Sequence, residues 1–518
     1  MKKQLTTIFF IFVVMGCTAM AQNGSTKKIS IYGEQILVRS YDIDKKEIIF
    51  GFGNPPGAPI NPNIGIKRTT IAIRDLVNGL ITKTAELPYD YRVYDAQIVS
   101  LRLAATEKPI DFCVFCGTRT ESSTYSYYNL SGNLVIVTTT DSTGFVGLFH
   151  LNNGNSIPNP SFSNYVYIRD VEDTKHLIKL AAYAEELGAY YGTCGAVYKD
   201  NAVLDIVGLP ANSINRASCI TRVKFYPECN GSIRWDNNIR TPSATSQEIV
   251  TDIAGTLKHI VTVSMLPNDT QSIYLRENYK ELTLNFGGLQ LTNVINKLDL
   301  SNSTISTLPY DVYYDKPVRV THLVDSDAVV SFIGKSTPSS SNSCDGLFSF
   351  RVDLPNIVAG AYDNTSGTLV DVCHYKYNTE SVALIKLPTA GYQLNTLDWY
   401  LNMNLQYPVY SIFDTSVTLQ SICTYYSPYG VRSLMAGGLI CPTIDRQWKL
   451  LQQEHFNNAF QSSCFQTSTR NVPLATVSAN TIYNDYYIYR RYPHDPTNYP
   501  MTLIPWTNTQ IYPTDICP

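Results

Sequence analysis

Apolar and polar side chains alternate residue by residue in Phe348-Ser349-Phe350-Arg351-Val352-Asp353-Leu354. A period of two places every second side chain on one face, so the segment reads as a strand with one buried side. An alternating strand, a short polar turn and a second apolar strand form a unit that recurs along the chain. It is found in EQILVRSYDIDKKEIIFGFG (34 to 53), LPYDYRVYDAQIVSLRLAATEKPIDFCVFCGTR (87 to 119) and HLIKLAAYAEELGAYYGTCG (176 to 195). It returns in EIVTDIAGTLKHIVTVSM (248 to 265) and LPYDVYYDKPVRVTHLVDSDAVVSFIGKS (308 to 336). The last two copies are TLVDVCHYKYNTESVALIKLP (368 to 388) and SVTLQSICTYYSPYGVRSLMAGG (416 to 438), making seven units.

The second and fifth units match most closely. Both begin with Leu-Pro-Tyr-Asp, at Leu87 and Leu308, which are 308 − 87 = 221 positions apart. Each continues into an apolar strand ending at a glycine, Gly117 or Gly334, and each is followed by a Gly-Leu-Phe triplet, 147 to 149 or 346 to 348. Phe149 and Phe348 are therefore expected at matching buried strand positions. Pro88 and Pro309 restrict the backbone at the start of their units and keep it from extending a preceding ladder.

Unit middles recur at roughly 50 to 75 residues, room for about four short strands with their loops. Radial arrangement of such units leaves only short, protected sheet edges. The series resembles the β-propeller class over nearly all of the chain, and within it secreted bacterial cell-envelope propellers. No subfamily mark accompanies it: Trp235-Asp236 lacks the Gly-His partner of a WD40 blade, and kelch double glycines and sialidase boxes do not occur. The resemblance implies an all-β fold of seven blades, with six or eight as alternatives. Two segments also fit helices. THLIKLAAYAEELGAYY carries Leu177, Leu180, Ala181, Ala184 and Leu187 at helical spacing, and WKLLQQEHFNNAF (448 to 460) suits a short helical insertion.

The N-terminus MKKQLTTIFFIFVVMGCTAMAQ has two lysines, an apolar core and small residues, the three-part layout of a secretory signal peptide. Cleavage after Ala21, at the Ala19-Met20-Ala21 site, is expected, giving a signal peptide over 1 to 21 and one domain over 22 to 518, irregular from about 440. The alternative is lipidation of Cys17 in a Val14-Met15-Gly16-Cys17 lipobox. No apolar run approaches the ~20 residues of a spanning helix, so no transmembrane segment is expected. The sequence predicts an exported protein, periplasmic, outer-surface or extracellular in a bacterium.

Composition narrows the partners. Charged residues make up 16 % and the formal net charge is −3, so nucleic acid is not expected, since it requires a concentrated basic face. The 37 tyrosines favour strands and also suit binding loops, because each supplies a large contact area with a hydrogen-bonding tip. The clusters are YSYY (125 to 128), VYY (312 to 314) and NDYYIYRRY (484 to 492), and they point to a protein or glycan partner.

Catalytic motifs do not assemble. His150, His176, His259, His322, His374, His455 and His494 are scattered singly, without the paired spacing that sets two ligands on one metal. Cys113 and Cys116 form a C-x-x-C, but on a strand their sulfurs face opposite sides. Cys219 and Cys229 flank a short segment and are the local disulfide candidate; the odd number of cysteines after the signal cannot all pair within one chain. Asp90 and Asp311 read as turn-capping residues. Set across one pocket, they would instead supply the paired carboxylates of glycoside hydrolysis. The expectation is a non-catalytic binding or scaffold module with no cofactor and no metal; the alternative is an extracytoplasmic glycosidase or lyase with a central-channel pocket.

Overall fold

A computed structural model describes the strands given below and the flanking residues 87, 102, 109, 129, 131, 133, 151, 266, 271 and 300; side chains are described at positions between Lys46 and Val330. All described regular structure is β, in antiparallel sheets none of which closes on itself.

Strand β1 (Lys27–Tyr32) precedes a first sheet of β2 (Gln35–Tyr41), β3 (Lys46–Gly53), β4 (Arg68–Asp75) and β5 (Ile81–Glu86). The second comprises β6 (Tyr91–Leu101), β7 (Ile110–Tyr128), β8 (Leu134–His150) and β9 (Tyr165–Val171). The third has β10 (Thr174–Gly192), β11 (Gly195–Pro210), β12 (Cys219–Pro227) and β13 (Ile233–Arg240). The fourth has β14 (Ile249–Gly255), β15 (His259–Met265), β16 (Ser272–Lys280) and β17 (Leu291–Asp299). In the fifth, β18 (Ile305–Thr307) and β19 (Val318–His322) both pair with β20 (Ala328–Ser336), followed by β21 (Cys344–Asp353) and β22 (Asn356–Tyr362). The sixth has β23 (Thr368–His374), β24 (Glu380–Lys386), β25 (Tyr392–Asp398) and β26 (Leu405–Ile412). The seventh has β27 (Val417–Ser427), β28 (Gly430–Leu439) and β29 (Gln447–Glu454), and its next strand is β1 from the other end of the chain.

The first strands carry the contacts between sheets. β2 packs on β6, β6 on β10, β10 on β14, β14 on β19, β19 on β23, β23 on β27, and β27 packs back on β2. The chain's last segment runs past the sheets in reverse order. There β30 (Thr467–Arg470) pairs with β22, β31 (Leu474–Ser478) with β17, β32 (Tyr489–Arg490) with β13 and β33 (Met501–Thr502) with β9. Finally β34 (Thr514–Asp515) pairs with β1, so both ends of the chain meet in the seventh sheet.

The second sheet is apolar on both faces, which is why Phe112-Cys113-Val114-Phe115-Cys116 is an unbroken apolar run. Cys113 and Phe115 pack with Phe50, Ile71 and Ile73 of the first sheet, while Phe112, Val114 and Cys116 pack with Leu177, Leu204 and Phe225 of the third. The two buried cysteines thus face opposite sides of β7, as the spacing predicts. Gly147 lies opposite Phe115 in the ladder, and a Cβ there would overlap the Phe115 ring. Its missing side chain is what lets that ring lie across the sheet.

Each of the seven sequence units coincides with the beginning of one sheet. Three details differ. The third unit holds neither a helix nor a complete hairpin: Thr174–Gly192 is a single strand, paired with β11 as far as Gly192 opposite Gly195. The strand is covered on both faces: Leu177, Leu180 and Ala184 pack toward the second sheet and Ala181 toward Ile253 of the fourth, so apolar residues on two faces, with a register shift between Leu177 and Lys179, imitate a helical spacing. Gln447–Glu454, the start of the other helical candidate, is also a strand, and 455 to 460 lie outside the described residues. Lastly, β7 does not end at Gly117 but continues to Tyr128.

The second and fifth sheets do place their Gly-Leu-Phe triplets in equivalent third strands, β8 and β21. Their registers differ by two residues, since Gly117 lies opposite Phe145 but Gly334 lies opposite Gly346. A two-residue offset preserves the facing of each side chain. Phe149 is fully buried, whereas the Phe348 side chain lies outside the described residues. So do Pro88, Tyr89 and Asp90 and all of 308 to 311.

Candidate functional site

Buried acids at the first strands serve as joints between sheets. A bulge between Val93 and Asp95 turns Asp95 toward β10, where its carboxylate accepts the Leu180 N–H at 3.0 Å and lies 3.7 Å from Lys179 Nζ. Gln97 extends the joint, accepting from Ala182 N–H at 2.9 Å and donating to the Leu180 carbonyl at 2.8 Å. These partners advance together along β6 and β10, so the two strands run in the same direction. The fourth sheet repeats the device. Asp252, just past a bulge after Val250, accepts the Val320 N–H at 3.0 Å, and Thr251 donates to the Val318 carbonyl at 3.0 Å. Asp371 occupies the same post-bulge register position in the sixth sheet. Within the third sheet, buried Asp205 receives Arg222 Nε at 2.7 Å, Arg222 Nη2 at 3.0 Å and Tyr183 Oη at 2.6 Å.

The second sheet carries a different kind of feature. Pairing of β6 with β7 stops at Arg119, and pairing of β8 with β9 stops at Gly144. Beyond those points Thr120–Tyr128 and Leu134–Thr143 pair only with each other among the described residues, forming a two-stranded arm. Its turn is fixed by Asn129, whose Oδ1 accepts the N–H groups of Ser131 at 3.0 Å and Asn133 at 2.9 Å. A backbone bond from Asn129 N–H to the Asn133 carbonyl at 2.9 Å closes it.

Charge is confined to the arm's base. Arg119 binds Glu121 at 2.7 Å and Asp170 at 2.8 Å. Burial pushes the Asp170 carboxyl above its ordinary value; the neighbouring Arg119 opposes that shift, Glu121 adds to it, and a Tyr91 hydrogen bond opposes it. From Ser122 to Thr140 there is no charged residue. Near the tip Tyr128 is 73 % exposed, Ile136 65 %, Leu134 54 % and Tyr127 49 %. Cross-strand pairing of Tyr128 with Leu134 and of Ser126 with Ile136 puts Tyr128, Leu134 and Ile136 on one face, and Tyr127 on the other.

His176 lies beside the arm's base, its Nδ1 2.9 Å from Thr118 Oγ1. Burial lowers its pKa from 6.5, reinforced by Lys175 and Arg92. A lowered folded value means that the unfolded chain binds the proton first. The contribution of His176 to stability is therefore complete above pH 6.5 and lost as the pH falls through the folded value. In urea titrations the His176→Gln variant should lose less stability than wild type on acidification below pH 6.5; equal losses would exclude this role.

Among the sequence candidates, Tyr125–Tyr128 forms the distal end of β7 in the arm. Tyr489–Arg490 is a short strand on the third sheet; the rest of 484 to 492 and all of 312 to 314 lie outside the described residues. Cys219 begins β12, while Cys229, Cys17, Asp90 and Asp311 are outside the described residues. His150 is buried with its ring edge-on to Phe112. Sequence reasoning missed Leu134 and Ile136, because an apolar tract reads as core. The available signal was the uncharged interval between Glu121 and Asp141, centred on the turn-forming Asn-Leu-Ser-Gly-Asn.

Among the described residues no group of three or more His, Cys, Asp or Glu side chains is placed to hold a metal ion, and no helix is long and apolar enough to cross a membrane. A scan against protein-family models and a search of curated proteins return no match.

Proposed function

We propose that this chain is an exported seven-bladed β-propeller acting as a non-catalytic binding or scaffold module, with the second blade's arm as its partner-binding element. The propeller reading is supported by seven successive antiparallel sheets whose first strands pack in a cycle. The N-terminal strand in the seventh sheet would close that cycle by joining the two ends of the chain. Cleavage after Ala21 leaves residues 22 to 26 ahead of β1; lipidation of Cys17 is the competing outcome.

The observation that carries the function is the arm itself. Tyr127, Tyr128, Leu134 and Ile136 are exposed beyond the supporting sheet, where they contribute little to the core. Tyrosine and aliphatic anchors of this kind recognise a protein or a glycan. The described acids Asp95 and Asp205 are occupied by backbone, lysine, arginine and tyrosine partners, which supports a non-catalytic reading over a glycosidase or lyase.

A glycan array and a pull-down with the mature protein test the proposal. The Tyr128→Ser/Ile136→Ser variant should bind about tenfold or more weakly, with its melting midpoint unchanged within about 2 °C. Polysaccharide turnover by wild type, abolished by Asp90→Asn/Asp311→Asn, would replace the binding module with the enzyme.

A further inference from the structure

Resting on the reading of the arm as a binding element, we propose that one face of the arm binds a soluble, neutral polysaccharide lying along the strands. The ladder between β7 and β8 runs from Phe112 to Tyr128 without a register shift, so alternate residues keep to one face throughout. On this face Thr124 lies opposite Thr138, Ser126 opposite Ile136 and Tyr128 opposite Leu134, with Thr140 one step nearer the base. All seven are exposed. Among the described residues the four hydroxyls of Thr124, Ser126, Thr138 and Thr140 share one side-chain hydrogen bond, between Thr124 and Thr138 Oγ1 at 3.2 Å. Each hydroxyl can donate once and accept twice, so most of this capacity is met from outside the arm.

Charge selects the partner. Arg119, Glu121 and Asp141 all belong to the opposite face, where Glu121 and Asp141 lie across from each other in the ladder. The hydroxyl face therefore has no ionic group of its own to attract or repel a ligand, which suits an uncharged chain. Sugar hydroxyls match the mixed donor and acceptor character of serine and threonine, and the Tyr128 ring, flanked by Leu134 and Ile136, offers a platform for the C–H side of a sugar ring. The stretch from Thr140 to Tyr128 is about 20 Å long, room for several sugars in a row. A protein partner is less well served, because serine and threonine rarely anchor protein interfaces. A lipid bilayer is served worst: the polar turn from Asn129 to Asn133 would enter first, and buried hydroxyls and amides are costly in hydrocarbon.

The full mature chain is screened on an array of neutral glucans, mannans, xylans and galactans beside acidic galacturonan and alginate, and the best neutral oligosaccharide is then titrated calorimetrically. Binding should strengthen from disaccharide to hexasaccharide and change less than about twofold between low and high salt, since no ion pair is screened. Thr124→Val/Thr138→Val keeps shape and strand propensity but deletes two hydroxyls, and should weaken binding about tenfold with the melting midpoint held within about 2 °C. Tyr127→Ser, on the opposite face, should leave it within about twofold. Absence of any neutral ligand, preference for the acidic polymers, or a steep salt dependence overturns the proposal. Unchanged or tighter binding by the valine variant also overturns it, because an apolar partner gains from that change. If the glycan fails but Tyr128→Ser/Ile136→Ser still abolishes capture of a protein in the pull-down, the arm's binding role stands. If that loss is absent as well, both fail.

Discussion

Replacing Asp95 by alanine should lower the unfolding free energy by about 3 kcal/mol, a large share of the 5–15 kcal/mol typical of a folded domain. The carboxylate is buried and joins two sheets, so its loss removes the acceptor for the Leu180 N–H and the anionic neighbour of Lys179. A buried donor left without its partner costs its full desolvation penalty, which is larger than the net worth of the bond. Asp95→Asn keeps an oxygen facing Leu180 and should cost appreciably less. Urea denaturation of the three proteins checks this, and hydrogen exchange should show the greatest loss of protection along β10. Equal destabilisation by Asn and Ala would assign the role to charge rather than to the hydrogen bond.

Arg222→Ala should cost about 3–5 kcal/mol. Asp205 is buried and receives two guanidinium bonds and one from Tyr183; without Arg222, the buried carboxylate loses both guanidinium bonds and the positive charge beside it. Removing both ions should be far milder. Asp205→Leu/Arg222→Met, apolar and of similar volume, is expected within about 1–2 kcal/mol of wild type, since a buried pair is costly mainly when half of it is deleted. A double variant as unstable as Arg222→Ala would show that shape at this point of the third sheet, and not charge compensation, sets the cost.

Local alternation revealed the beginnings of all seven sheets because hairpin strands are patterned by their own burial. The same pattern misled where a strand is covered on both faces. In β10 Leu180 and Ala184 pack on one side and Ala181 on the other, so apolar residues fill both phases of the alternation and read as a helical spacing. The joints at Asp95 and Asp252 were hidden for a related reason: their bonds go to residues 85 and 68 positions away, and nothing local marks the partner. The reverse path of the last segment was equally illegible, because strands of two to five residues carry no periodicity. At the arm, YSYY was visible as a tyrosine cluster. Its projection was not, since only the end of pairing at Arg119 and Gly144 separates an arm from an ordinary hairpin.

The proposed closure of a ring through the N-terminal strand is most directly tested by cross-linking β1 to β29. Ile29 pairs with Leu450 and Ser30 with Lys449. Adjacent antiparallel pairs alternate between wide and narrow Cα separations, so one of the two sites suits a disulfide. Paired cysteines at 29 and 450, or at 30 and 449, should yield a mass-mapped intramolecular link in at least one variant, formed without denaturant and with the melting midpoint raised. Failure of both pairs to link in the folded protein would contradict the proposed seven-bladed ring.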